Sequence, residues 1–283
     1  MIKTRAQQAG FPQTLLAPHV IDGKPIEPGA SAFERRNPAN RDDLVSLAPL
    51  GDRDQVWSAC QAARVAFGSW QRVPAPARAR VLTRLSRLLS DEKERLARFV
   101  AREIGKPLRE ARGSVQEAID TAEFFQSEGR RLYGQTVPSE LPSKELFTYR
   151  RPIGVVGLIT AGNFPIAVPS WKIIPALLAG NTIVWKPSDD APGTAALFFE
   201  LLRRAGVPAG VLNIVHGAGA GGAGEWLIEA VDAGLVDKIS FTGSTAVGRK
   251  IGEVCGRRLQ VPSLELGGKN PLVVLADADL DLA

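Results

Sequence analysis

From residue 151 onward the chain alternates short, unbroken apolar runs with longer segments of helical period. The apolar runs cover 153–159, 182–185, 211–215, 238–241 and 259–264, and the helical patterns between them cover 170–179, 191–205, 222–231 and 244–255. Strands buried on both faces read as continuous hydrophobic runs, and parallel neighbours need a crossover that is usually a helix. This alternation predicts an α/β fold, a parallel sheet with helices on both faces. In such a sheet ligands bind at the carboxyl ends of the strands.

The preceding half reads differently. Residues 14–50 predict short strands and turns, with a hairpin signal at Asp22 and Gly23 after His19, Val20 and Ile21, and a second turn at Asn37, Pro38, Ala39 and Asn40. From Asp52 the period becomes 3.6, placing Val56, Ala59, Cys60, Ala63, Ala66, Phe67 and Trp70 on one helical face, so Cys60 is expected in the core. One helix is predicted over 76–104, with the stripe Val81, Leu85, Leu88, Leu89, Leu96, Phe99 and Val100 and a stop at Gly105, Lys106 and Pro107. Another follows over 108–132. Residues 135–151, with Pro138 and Pro142 ahead of the alternating Leu146, Phe147, Thr148, Tyr149 and Arg150, predict a protruding β-hairpin arm.

Composition removes several functions. The net charge of +5 does not form a basic stripe, because the arginines of 78–112 interleave with Asp91, Glu92, Glu94, Glu103 and Glu110. That pattern reads as a solvated helix face, so no nucleic-acid partner is expected. No apolar run is long enough to span a membrane. The mildly basic opening residues lack the apolar core of a signal peptide. An organelle-targeting reading of them stays open beside the cytoplasmic one. Two cysteines, Cys60 and Cys255, and two histidines, His19 and His216, make no metal site and no disulfide framework, which fits a reducing compartment.

Four clusters at strand ends carry chemistry. Thr160, Ala161, Gly162, Asn163, Phe164 and Pro165 follow the first strand; Asn163 is either a turn former or an amide donor for a developing oxyanion. Trp185, Lys186, Pro187, Ser188 and Asp189 follow the second; Lys186 and Asp189 are either solvated or grip the vicinal hydroxyls of a ribose. Phe241, Thr242, Gly243 and Ser244, continuing through Val247 and Gly248, join a strand to a helix. Ser244 there is either an ordinary cap or the opening of an anion site, with Gly243 permitting a tight turn. In Leu264, Glu265, Leu266, Gly267, Gly268 and Lys269, Glu265 is either a surface residue or a general base whose pKa is raised by flanking leucines.

In this order and spacing, and with Asn37, Pro38, Ala39 and Gly105, Lys106, Pro107, Glu110, Ala111 upstream, the clusters resemble the NAD(P)-dependent aldehyde dehydrogenase superfamily over nearly the whole chain. The resemblance implies a Rossmann-like fold, NAD or NADP as cofactor, and an aldehyde as substrate. It implies catalytic roles for Asn163 in the oxyanion hole, Glu265 as the base that activates the deacylating water, and Lys172 near that glutamate. It implies cofactor contacts at Thr160, Ala161, Lys186, Ser188, Asp189, Gly219, Gly243, Ser244, Val247, Gly248, Leu266 and Gly267. Two departures stand out: Gly162 where many members have Trp, and Asp189 where many have Glu. The implied division is 1–134 as the first part of a cofactor-binding domain, 135–151 as part of an oligomerisation arm, 152–266 as the dinucleotide-binding region, and 267–283 as the start of a catalytic domain. A homodimer or tetramer is implied for the complete protein. The family's nucleophilic cysteine would fall beyond Ala283, so this chain is expected to be a truncated part of the enzyme, without turnover of its own. The other reading is a non-catalytic dinucleotide-binding fragment, or one chain of a split enzyme. Glu265 sets the chain apart from CoA-acylating and phosphate-linked relatives, which generally lack it.

Overall fold

The computed structural model describes residues 14–29 and 32–283. The basic opening stretch, up to residue 13, lies outside the described residues. The chain enters through β1 (Leu15–Leu16), then a tight hairpin of β2 (His19–Ile21) and β3 (Lys24–Ile26), then a longer one of β4 (Phe33–Asn37) and β5 (Asn40–Ala48). Asp22 and Gly23 both take positive φ, 51° and 73°, which a two-residue turn matched to strand twist requires. Pro38 and Ala39 form the second turn.

Helix α1 (Arg53–Trp70) opens on a reciprocal cap: Gln55 N donates to Asp52 Oδ1 at 2.7 Å, and Asp52 N donates to Gln55 Oε1 at 3.0 Å. It buries Val56, Ala59, Cys60, Ala63 and Trp70, with Ala66 and Phe67 half-buried on the same stripe. The single helix expected over 76–104 is two, α2 (Ala75–Asp91) and α3 (Lys93–Ile104), divided at Glu92 (φ −94°, ψ 2°). The apolar stripe continues in phase across the break, so periodicity could not reveal it. α3 stops at Gly105, whose φ of 73° and whose missing Cβ, which would lie 2.6 Å from Pro38 Cγ, both demand glycine. α4 (Leu108–Glu128) ends before the expected residue 132. The arm that follows pairs β6 (Thr136–Val137) with β7 (Leu146–Phe147) antiparallel, leaving Tyr133, Leu141, Phe147 and Tyr149 exposed.

The remainder alternates strand and helix as expected: β8 (Val155–Ile159), α5 (Ala167–Ala179), β9 (Thr182–Lys186), α6 (Pro192–Arg204), β10 (Leu212–Ile214), α7 (Ala223–Asp232), β11 (Lys238–Gly243), α8 (Thr245–Arg257) and β12 (Ser263–Leu266). Leu259, expected at the start of the last strand, instead has φ 53° and is exposed, so it belongs to the turn before β12. The sheet order is β12-β11-β8-β9-β10-β2-β3. The five strands from β12 to β10 are parallel. The sheet as a whole is mixed, because β2 joins β10 antiparallel through Val20 and Ile214. The N-terminal hairpin thus covers an edge that would otherwise be open.

Side chains of a strand alternate between faces, and two cores result. One packs Val156, Leu158, Ile183, Trp185, Leu212 and Ile214 under α2, α4, α5 and α6. The other packs Val155, Ile159, Val184, Val215, Ile239 and Phe241 under α1, α7 and α8. Over β11 and β12 the α5 side carries no helix among the described residues. β11 and β12 there line an open cleft together with residues of α5.

Two residues assigned to a solvated face are buried, and each closes a helix end of the sheet region. Glu103, 3% exposed, accepts from Gly193 N and Thr194 N at 2.8 Å, from Thr194 Oγ1 at 2.6 Å and from Ser46 Oγ at 2.5 Å. It sits at the N-terminus of α6, where free N–H groups and the helix dipole favour a carboxylate. Arg78 donates through Nε to Leu178 O at 2.8 Å in the last turn of α5, and through Nη1 to Val73 O. Among the described residues no helix is long and apolar enough to cross a membrane.

Candidate functional site

Strand order reverses at β8, with β9 and β10 on one side and β11 and β12 on the other. That is the switch point at which an open parallel sheet leaves a crevice. The register puts the carboxyl ends of all five strands on one edge. Thr160, Ala161 and Asn163 follow β8; Lys186 ends β9, and Ser188 and Asp189 follow it; Gly219 follows β10. Gly243 ends β11, Ser244 caps α8, and Val247 and Gly248 lie in its first turns. Glu265 and Leu266 end β12, and Gly267 follows. Lys172 comes from α5 and faces the same crevice.

On the α5 side a cleft of about 960 Å³ is lined by Ala161, Asn163, Trp171, Lys172, Ser240, Thr242 and Glu265 among others. Lys172 Nζ donates to Ser240 Oγ at 2.8 Å. Partial burial lowers the Lys172 ammonium pKa, and the nearby Glu265 carboxylate opposes that shift. Asn163 is exposed, its Oδ1 accepting from Phe164 N at 3.1 Å. Its carbonyl accepts from Lys106 Nζ at 2.9 Å, and the same ammonium stands 3.3 Å from the centre of the Phe164 ring. The Thr242 hydroxyl is buried and has no hydrogen-bond partner among the described residues. Glu265 is exposed, so the apolar surroundings expected from its sequence neighbours are not there. Leu264 and Leu266 point to the opposite face, where Leu264 packs on the α8 core and Leu266 approaches Gly248. Strand alternation separates the carboxylate from both leucines.

On the α8 side Lys186 is 4% exposed, and its ion pair with Asp189 Oδ1 spans 3.7 Å. Burial lowers its pKa, and Asp189 opposes this. Ser188 Oγ accepts from Asp190 N at 3.2 Å, tightening the loop. Ser244 Oγ accepts from Val247 N at 3.3 Å, as an N-cap should. Gly243, expected as a tight-turn residue, is the last residue of β11 without a positive φ. Glycine is needed there because a Cβ would strike the Phe241 ring. A Cβ at Gly248 would lie 2.6 Å from Leu266 Cδ2, so this glycine lets α8 close on β12. Gly219 is exposed and its carbonyl accepts from Glu225 N at 2.9 Å. The Thr160 hydroxyl turns into the core to accept from Trp185 Nε1 at 3.0 Å, leaving only backbone for a ligand. At Gly162 a Cβ would lie 2.8 Å from Ser188 Oγ, so the loops after β8 and β9 meet where a larger residue would hold them apart.

Two cations of the site were not foreseen. Arg35 reaches from β4 to Asp190 Oδ1 at 3.0 Å and Asp189 Oδ2 at 3.8 Å, and Lys106 braces the Asn163 loop. Neither has a local signal: Arg35 lies in an ordinary strand, and Lys106 reads as part of a helix stop. Both cysteines are free and buried, Cys60 in α1 and Cys255 in α8. Burial pushes the Cys60 thiol up to about 12 and raises that of Cys255. His19 and His216 stack at 5.8 Å within the core, and no group of potential metal ligands occurs among the described residues.

The donor set suits a nucleotide. A buried ammonium beside a carboxylate matches vicinal hydroxyls, an open helix N-terminus matches a phosphate, and the cleft beyond holds an amide, an ammonium and a carboxylate. Residues 26–283 match the aldehyde dehydrogenase family. The chain is 43% identical over 252 residues to the NADP(+) succinate-semialdehyde dehydrogenase of Escherichia coli (strain K12), covering 89% of this chain and 51% of that protein. It is 41% identical over 247 residues to a glutarate-semialdehyde dehydrogenase of Pseudomonas putida, covering 87% and 50%. A crystal structure of an NAD-dependent aldehyde dehydrogenase from Sinorhizobium meliloti superposes with a TM-score of 0.89 at 35% identity, over 99% of this chain and 55% of that one. The chain spans about half the length of the curated relatives it matches.

Proposed function

Because this chain belongs to the aldehyde dehydrogenase family, we propose that it forms the dinucleotide-binding part of an enzyme that oxidises an aldehyde to a carboxylic acid with NAD+ or NADP+. The observation that carries this reading is the convergence of Lys186, the α8 N-terminus and the cleft of Asn163, Lys172 and Glu265 on one edge of the sheet. Lys186 and Asp189 hold the adenosine ribose. The N-terminus of α8, with Ser244, faces the pyrophosphate. The backbone at Thr160, Ala161, Gly219, Leu266 and Gly267, with Ser188, Val247 and Gly248, shapes the rest of the trough. When bound, the nicotinamide accepts a hydride. Asn163 Nδ2 donates to the oxygen that becomes negative when a thiol adds to the aldehyde. Glu265, open to water in the cleft, takes the proton of the water that releases the acid, and Lys172 holds a positive charge beside it.

The thiol comes from outside this chain, since Cys60 and Cys255 are buried away from the cleft with their pKa values raised. Alone, the chain then binds cofactor without turning over aldehyde, whether it is part of a longer protein or one chain of a split enzyme. The substrate class is a semialdehyde, a reading supported by the names of the relatives. The exposed arm of 135–151 docks on a second copy in a dimer or tetramer, and free cysteines fit the cytoplasm. The divisions at 134, 151 and 266 belong to the same proposal. Calorimetric titration with NAD+ and NADP+ tests the binding: saturable binding is expected, weakened by Lys186→Ala. Absence of binding to the folded chain refutes the reading. Aldehyde-dependent formation of reduced cofactor that survives Cys60→Ser and Cys255→Ser would overturn the role given to the thiol.

A further inference from the structure

The carboxylate at the proposed ribose site does not stand alone. A lone carboxylate there would accept from a 2′-hydroxyl and repel a 2′-phosphate. Here Arg35 Nη2 lies 3.0 Å from Asp190 Oδ1 and 3.8 Å from Asp189 Oδ2, and Arg35 Nε donates to the Asp189 carbonyl. Lys186 Nζ approaches Asp189 from the other side at 3.7 Å. Two cations therefore balance two carboxylates within one loop, which removes the repulsion that would exclude a phosphate. The Arg35 side chain is about a third exposed and fronts a small cleft beside Gly162, Asn163 and Asp190. Its ion pairs are thus wet and exchangeable, and a guanidinium fork binds phosphate in two-point fashion.

We propose that Arg35 sets the cofactor specificity of this chain, admitting the 2′-phosphate of NADP+ by neutralising Asp189 and Asp190 and by offering its own guanidinium to that phosphate. The proposal rests on the ribose assignment above. Calorimetric titrations of the wild-type chain, Arg35→Gln, Arg35→Lys and Asp190→Asn with NAD+, NADP+, adenosine 5′-monophosphate and adenosine 2′,5′-bisphosphate test it, with circular dichroism confirming that each variant is folded. Arg35→Gln is expected to weaken NADP+ and the bisphosphate roughly tenfold or more, as for a lost charged hydrogen bond, while NAD+ and the monophosphate change little. Arg35→Lys is expected to restore part of the NADP+ affinity. Asp190→Asn, which frees Arg35 without removing it, is expected to tighten NADP+. An unchanged NADP+-to-NAD+ ratio in Arg35→Gln and Asp190→Asn overturns the proposal and leaves Arg35 as a brace between β4 and the β9 loop. A wild-type chain that is folded and binds neither cofactor overturns the ribose assignment itself.

Discussion

Replacing Glu103 by Gln keeps the shape of the side chain and changes only what it can accept. Each carboxylate oxygen receives two donors: Ser46 Oγ and Gly193 N on Oε1, Thr194 N and Thr194 Oγ1 on Oε2. A glutamine puts an NH2 group where one oxygen stood. The hydroxyl there can rotate and accept, but the backbone N–H cannot, so one buried donor is orphaned in either orientation. That orphan gives a destabilisation of roughly 2–3 kcal/mol; losing the charge adds little, because the burial that raises the Glu103 pKa opposes the attraction of the helix N-terminus. For a chain of this size each kcal/mol lowers Tm by about 2–4 °C, so a fall of roughly 4–12 °C is expected. Differential scanning calorimetry, with urea unfolding to give the free energy, measures it. A Tm within about 2 °C of wild type would refute the claim that this carboxylate holds α6 in place. Because the loop of Ser188, Asp189 and Asp190 leads into α6, Glu103→Gln should also weaken cofactor binding at temperatures where the protein is still folded.

Burial holds His19 down at about 4 and His216 at about 3, against an ordinary 6.5. The unfolded chain then takes up protons that the folded chain excludes, so stability is full above about pH 6.5 and declines as pH falls toward the folded values, by up to about 1.4 kcal/mol per unit per histidine. Urea midpoints that stay level between about pH 7 and about pH 5 would contradict the burial of the pair. At the ribose site Lys186→Ala should weaken NAD+ and NADP+ alike, whereas Asp189→Ala should penalise NAD+ more; calorimetry showing the same change for both cofactors in Asp189→Ala would remove Asp189 from the ribose. In a protein that unites this chain with its thiol, Glu265→Gln should leave a burst of reduced cofactor and little steady-state rate in stopped-flow assays. An unaltered steady state would make Glu265 a structural residue.

The parts of the fold written in local pattern were legible. The alternation after residue 151, the Asp22–Gly23 turn and the Gly105 stop each depend on residues within a few positions of one another. The strand-end clusters were legible for the same reason, since the residues that end β8, β9, β11 and β12 sit beside the turns that announce them. What escaped was set by partners distant in sequence. Glu103 looks solvated on a helical wheel, because its donors at 193 and 194 are about ninety residues away. Arg78 and Arg35 were missed on the same ground. Glu265 fails in the opposite sense: its flanking leucines are local, and strand alternation turns them away from it.

The antiparallel seam between β2 and β10 has a consequence for how the chain is made. The bond from His216 N to His19 Nδ1 closes a span of 197 residues, so the hairpin of β2 and β3 is synthesised long before its partner strand exists. Contacts of such separation form slowly, because the loop they close must be ordered before they reward it. During synthesis the hairpin emerges with Val20 and Ile21 uncovered, and it gains its place only after β10 has left the ribosome. The seam thus joins β2 to a strand made long after it, and until it forms the β10 edge is a template open to any passing strand.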